Sequence, residues 1–292
     1  MNHRRITAAL LAAMLVLTLL AGCGGNSAPS GSSGGTAQDN SQGNDSAQPK
    51  TFTVGMECNY APFNWTQVES DDYSVALEGA GYAGGYDVVM AKTLADKMGM
   101  TLVIKKLAWE GLEPAVTSGE IDAIIAGMTA TPERQENADF TSPYYESEMV
   151  CIVRGSDDLA NATSLADFTG KNVQGQQNTI YDDIIDQIPG VNHMTPLASY
   201  PLMVLALQNG EADALTAELP VATGVVTSNP NLAIVKFADG QGFEADTTVS
   251  IGVKKGNTEL LNAIQAALDS IDADTRTQWM TDAVSRQPAN EE

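Results

Sequence analysis

Apolar positions along this chain recur at two alternating periods, and the alternation lays out the fold. Residues 51–56 (TFTVGM) alternate and carry β-branched side chains, as a strand does. From 88 to 98 the apolar residues switch to helical spacing, with Asp87 a natural N-cap and Gly99 a natural stop. Residues 66–84, rich in Gly, Asp and Ser, read as a longer hairpin or surface loop. The strand period returns at 101–107; Trp109 then opens a helix through Ser118 that Gly119 ends, and 121–126 form the next strand. Strand, helix, strand, helix, strand is a βαβ series and predicts a mainly parallel sheet.

A second series follows Tyr144 and Tyr145. Strands are expected at 149–153, 172–175, 194–195 and 212–216, and helices at 164–168, 180–187 and 200–208. Strands at 232–237 and 249–254 and an amphipathic helix at 260–271 complete the pattern. One phrase occurs in both halves: Ser118-Gly-Glu-Ile-Asp-Ala-Ile124 and Asn209-Gly-Glu-Ala-Asp-Ala-Leu215, each closing a helical run and opening a strand. The duplication predicts an α/β protein of two similar lobes with a cleft at the carboxyl ends of their strands, where open α/β sheets bind ligands.

The first 50 residues follow neither period. Arg4 and Arg5 precede an apolar stretch from Ala8 to Leu20, too short to span a membrane comfortably, and then comes Leu20-Ala21-Gly22-Cys23. Residues 1–22 thus read as a lipoprotein signal peptide, with Cys23 the lipidated N-terminus of the mature chain. Residues 23–50 are Gly, Ser, Asn, Gln, Asp and Ala with almost no bulky apolar side chain, and read as a lipid-anchored flexible linker.

Composition narrows the function. The formal net charge is −22, with 15 basic against 37 acidic residues, and removal of the signal takes away two more cations. Nucleic acid is excluded as a partner, because phosphate binding needs clustered Lys and Arg. Cys58 and Cys151 show no framework spacing and are expected as two separate thiols. No Cys, His, Asp or Glu cluster has metal-ligand spacing, so neither metal nor cofactor is expected.

Candidate chemistry lies just after each copy of the repeated phrase. Thr131-Pro132-Glu133 is a helix start, and Arg134 follows at a position where the helix dipole gives a cation no advantage. An exposed Arg would explain it; so would a carboxylate site made from its planar fork, the helix amides and Thr129. Glu218, before Leu219-Pro220, suits a helix start, but opposite Arg134 it would also meet an ammonium group. A free amino acid carries that pair of charges reversed. Tyr60, Phe63, Trp65 and Trp109 lie in loops or turns, as satellite core or as flat walls for a ligand. Asp87, Phe140 and Pro143 are assigned to capping and packing.

Several motifs, in order, carry a resemblance: Tyr60-Ala-Pro-Phe63, Gly85-Tyr-Asp87, Trp109-Glu-Gly-Leu112, Gly119-Glu-Ile-Asp-Ala-Ile124, Gly127-Met-Thr-Ala-Thr-Pro-Glu-Arg134 and Phe140-Thr-Ser-Pro-Tyr-Tyr145. Together they resemble the family 3 solute-binding proteins of amino-acid ABC transporters. The resemblance implies a type II periplasmic-binding-protein fold, with lobe 1 at 51–147 and 248–287, lobe 2 at 148–247, and a two-strand hinge. It implies that Arg134, Thr129 and Gly127 hold a ligand α-carboxylate with help from Thr179, although Asn178 stands where a glycine is familiar. Glu218 stands where an Asp normally binds the α-ammonium. Tyr60 would cover the ligand, Trp109 would wall it, and Glu57 would meet a polar or cationic side chain. The implied protein is a monomeric, non-enzymatic receptor that delivers its amino acid to a membrane permease. Two rivals stay open: a dehydratase on the same fold, resembling cyclohexadienyl dehydratase, with Glu218 or Glu57 as acid, and a lipoprotein presenting ligand to a separate sensor.

Overall fold

The computed structural model describes residues 50–288. The stretch read as a signal peptide, Cys23 and nearly all of the stretch read as a linker therefore lie outside the described residues.

Two five-stranded sheets organise the molecule. In the first, Thr51–Met56 is flanked by Thr101–Lys106 and Ala123–Ile124 in parallel, and Gly252–Lys254 and Ala138–Phe140 add on in antiparallel fashion. The second has the same plan. Asn172–Gln174 runs parallel to Asn192–His193 and to Ala214–Glu218, and Met149–Arg154 and Leu232–Val235 extend the sheet antiparallel. Each sheet is thus parallel where βαβ units build it and antiparallel where strands enter from the crossover side. The expected mainly parallel character belongs to residues 51–124 in the first sheet and 172–218 in the second.

The strand Thr51–Met56 has a neighbour on each side in its sheet, and Phe52, Val54 and Met56 are wholly buried, as the period-2 pattern requires. Helix Tyr86–Met98 covers this sheet and packs against helices Thr258–Asp269 and Ala273–Arg286. Its start departs from expectation. Gly85, at φ 121°, is the N-cap, and the helix amides of Tyr86 and Asp87 donate to the loop carbonyls of Pro62 and Phe63 at 3.0 and 2.8 Å. With the backbone capping the helix, Asp87 is not the cap and turns into the core instead.

The repeated phrase does the same work in both lobes. Gly119 and Gly210 take left-handed conformations at φ 85° and 79°, directly after or one residue beyond their helices. Next, Asp122 receives the Thr53 amide on its carboxylate at 2.7 Å while its own amide donates to the Thr53 carbonyl at 2.8 Å. Asp213 treats Asn172 in the same way, at 2.9 and 2.8 Å. The carboxylate continues the parallel ladder by one rung and fixes where the next strand begins.

Between the sheets, Tyr145–Glu146 and Thr248–Val249 pair antiparallel, forming the two-strand crossover. A small sheet of Asn59–Tyr60, Asn64–Gln67, Val75–Ala76 and Tyr82–Gly84 occupies the stretch read as hairpin or loop. Cys58 and Cys151 are separate, buried thiols, as expected. No helix among the described residues is long and apolar enough to cross a membrane.

Candidate functional site

The cleft residues come from strand ends and the turns that follow them. Thr131 caps helix Pro132–Asn137 by accepting the Arg134 amide, and the Arg134 side chain folds inward, only 8% exposed. Each guanidinium nitrogen has a protein acceptor. Nε donates to Glu113 Oε1 at 3.1 Å, one Nη to the Thr129 carbonyl at 2.9 Å, and the other to the Asn178 carbonyl, in the second lobe, at 2.8 Å. The cation also lies 5.2 Å from the centre of the Trp109 ring. Burial pulls the Arg134 pKa down and the Glu113 charge opposes that.

Asn178 is where the lobes grip each other. Its backbone is left-handed, φ 57°, so its carbonyl faces the first lobe and accepts both Arg134 and the Trp109 indole N–H, the latter at 3.1 Å. Thr179 follows as cap of the next helix, accepting the Tyr181 amide at 3.2 Å and donating to the Gln176 carbonyl at 2.7 Å. Gln176 reaches across to Glu57 at 3.3 Å.

Glu218 ends the strand Ala214–Glu218 and is wholly buried. Three hydroxyls donate to its carboxylate: Tyr60 from the first lobe at 2.8 Å, Ser147 from the crossover at 2.6 Å, and Tyr181 from its own lobe. Burial pushes its pKa up, against the pull of these donors. Glu57 behaves alike: burial raises it to about 7, opposed by Gln176 and the positive charge of Lys106. Neither carboxylate has an ion-pair partner within 4 Å among the described residues. Both would gain from a cation placed beside them.

A second buried network holds the backbone behind these groups. Asp87 accepts the Tyr144 hydroxyl at 2.7 Å and the Asn64 amide at 2.8 Å. Tyr144 in turn accepts the Gly127 N–H at 3.0 Å, and Asn64 accepts the Cys58 N–H at 2.7 Å. One carboxylate therefore orients the chain on both sides of the cleft floor, beyond the packing role assigned from sequence. Burial raises it to about 7. Gly127 has to be glycine: at φ 62° an added Cβ would come within 3.1 Å of the Tyr60 ring.

The eight residues to which the resemblance gives a ligand role, Glu57, Tyr60, Trp109, Gly127, Thr129, Arg134, Thr179 and Glu218, are all buried or half-buried. Glu113, Ser147, Gln176, Asn178 and Tyr181 join them without having been assigned a role. Of these only Asn178 carried a signal, as the departure from a familiar glycine.

Two α/β lobes joined by paired strands, with a buried cation in one wall and buried carboxylates in both, define a ligand-capturing protein of the type II periplasmic-binding-protein fold. The chain belongs to the bacterial extracellular solute-binding proteins, family 3, whose model matches residues 52–282. It is 30% identical over 228 residues to the putative ABC transporter arginine-binding protein 2 of Escherichia coli K12, covering 77% of this chain and 86% of that one. A probable histidine-binding protein of Campylobacter jejuni is 30% identical over 210 residues, covering 71% and 76%. Among solved structures, the amino-acid ABC transporter substrate-binding protein AbpA of Streptococcus pneumoniae, bound to L-arginine, superposes with a TM-score of 0.70 at 26% identity, covering 80% of this chain and 94% of that one.

Proposed function

We propose that this protein is the amino-acid-binding component of an ABC importer and that its ligand is polar or cationic. The observation that carries this is the placement of Arg134 and Glu218, buried in opposite walls of one cleft, with Tyr181 bonded to Glu218 and within the electrostatic reach of Arg134. A ligand α-carboxylate takes the place of the Asn178 carbonyl on Arg134, helped by Thr129, Gly127 and Thr179. The α-ammonium sits on Glu218 under Tyr60, and the side chain runs along Trp109 toward Glu57. Relatives named for arginine and histidine support a cationic side chain.

Closure brings lobe 1, at 51–147 and 248–287, onto lobe 2, at 148–247, by bending at the paired strands. Only contacts made by both lobes shift the open and closed populations, and Arg134 and Glu218 supply them. The mature chain is a monomer anchored through a lipidated Cys23 on the extracytoplasmic face of the membrane, where it hands its ligand to a permease; it performs no chemistry. A thermal-shift screen of the twenty amino acids tests the reading. Stabilisation by arginine, lysine or histidine is the expected result; stabilisation confined to acidic or aliphatic amino acids overturns the ligand assignment.

A further inference from the structure

The charges lining the cleft do not balance as those around a zwitterion would. Arg134, the cation meant for a ligand carboxylate, is already matched: Glu113 neutralises it at 3.1 Å, and the Thr129 and Asn178 carbonyls take its other two nitrogens. An arriving carboxylate must displace a carbonyl and then share the guanidinium with a standing carboxylate. The opposite holds for Glu57 and Glu218. They are 6% and 0% exposed and are met by neutral donors, an amide for the first and three hydroxyls for the second. Glu110 adds a further carboxylate at the same wall, 3.5 Å from the Asn178 amide. Against these acids the nearby cations are the paired Arg134 and Lys106, whose ammonium is turned out to the Thr66 hydroxyl.

From this imbalance we infer that the cleft also takes carboxylate-free dications, aliphatic diamines and guanidinoalkylamines, with one cationic group on Glu218 and the other on Glu57. Glu113 then stands in for the carboxylate such ligands lack. It acts as a specificity-determining residue, because it sets how much Arg134 gains from a ligand carboxylate. The inference extends the amino-acid reading, and rests on it for the location of the site and for the roles of Glu57 and Glu218.

Arginine and agmatine form the decisive pair of probes, since they differ only in the α-carboxylate. Titration calorimetry of the full folded chain with arginine, agmatine and putrescine should give agmatine a Kd within about tenfold of that for arginine. In Glu113→Gln the guanidinium loses its standing counter-charge, so arginine should tighten about tenfold while agmatine does not. Agmatine binding more than a hundredfold weaker than arginine overturns the inference and leaves amino-acid binding intact. Agmatine binding without arginine, or any other amino acid, does the reverse. A Glu113→Gln change that moves both ligands equally removes the role given to Glu113. The wild-type comparison needs no variant, so a misfolded mutant would not blunt the test.

Discussion

Tyr60 in the first lobe donates its hydroxyl to Glu218 in the second at 2.8 Å, so the residue expected to cover a ligand is bonded to the residue expected to hold its ammonium. The bond crosses the cleft and ends on a wholly buried carboxylate, which makes it a direct contribution to closure. Removing it in Tyr60→Phe should lower affinity by about 1.5–3 kcal/mol, the usual range for a hydrogen bond to a charged group. Calorimetry measures the affinity, and small-angle scattering should show a more open molecule. An unchanged Kd would assign closure to the Asn178 contacts instead.

Arg134→Ala should abolish the stabilisation that a polar, uncharged amino acid gives in a thermal-shift assay, because such a ligand has no second cation for Glu57. The substitution removes the guanidinium from this wall and leaves the Asn178 carbonyl with the Trp109 indole N–H alone. Binding that survived would mean that the ligand carboxylate, if there is one, sits elsewhere.

Cation binding should depend on pH. Glu57, raised to about 7 by burial, is largely protonated at pH 6, and a cationic side chain needs it ionised. Affinity for arginine should therefore fall as pH drops from 8 to 6, with proton release on binding near pH 7. Calorimetry in buffers of different ionisation enthalpy measures that release; Glu57→Gln should remove it.

Stability should run the other way in the unliganded protein. Asp87 is raised to about 7 when folded, while in the unfolded chain it keeps its ordinary value near 3.8. A folded pKa above the unfolded one gives stability that is full below about 3.8 and is lost as pH rises through about 7. Glu57 adds to this in the same direction. The unfolding midpoint should be higher at pH 5.5 than at pH 8, by a few kcal/mol in free energy at most. Asp87→Asn should flatten the profile.

Asp122→Ala and Asp213→Ala should each cost about 1.5–3 kcal/mol of stability in denaturant unfolding, because each strands a backbone amide that the carboxylate now accepts. Neither residue bonds to a cleft side chain. Ligand affinity in the folded fraction should stay near wild type.

These residues also show what the sequence could and could not reveal. The doubled phrase announced two related lobes because a left-handed Gly and an amide-accepting Asp leave a fixed spacing in the chain. Arg134 was visible through the Thr-Pro-Glu helix start, and Glu218 through its place after the second copy. Glu113 was not, because a lone acid on a helix usually marks a solvated face, and nothing local says that its partner lies 21 residues away. Asn178 stands out in the sequence only as a departure from a familiar glycine, because it acts through a main-chain carbonyl, which no side-chain pattern records. The last helix, Ala273–Arg286, was missed because only Met280 and Ala283 in it are buried, too few to set a period. Asp87 is not the cap that its position suggests, because the Pro62 and Phe63 carbonyls satisfy the helix end with backbone alone.

The strand after Asp122 is two residues long, Ala123–Ile124, and both are fully buried. So short a segment has little pairing of its own with which to correct a slip, and a shift of one residue would reverse the facing of both side chains. Asp122 acts as a register key: its carboxylate fits one amide of the neighbouring strand, and a misaligned chain would place a charge where no donor waits. The same key is cut again at Asp213. Error-proofing of alignment, rather than added adhesion, is what the repetition of a charged residue at the mouth of a buried strand provides.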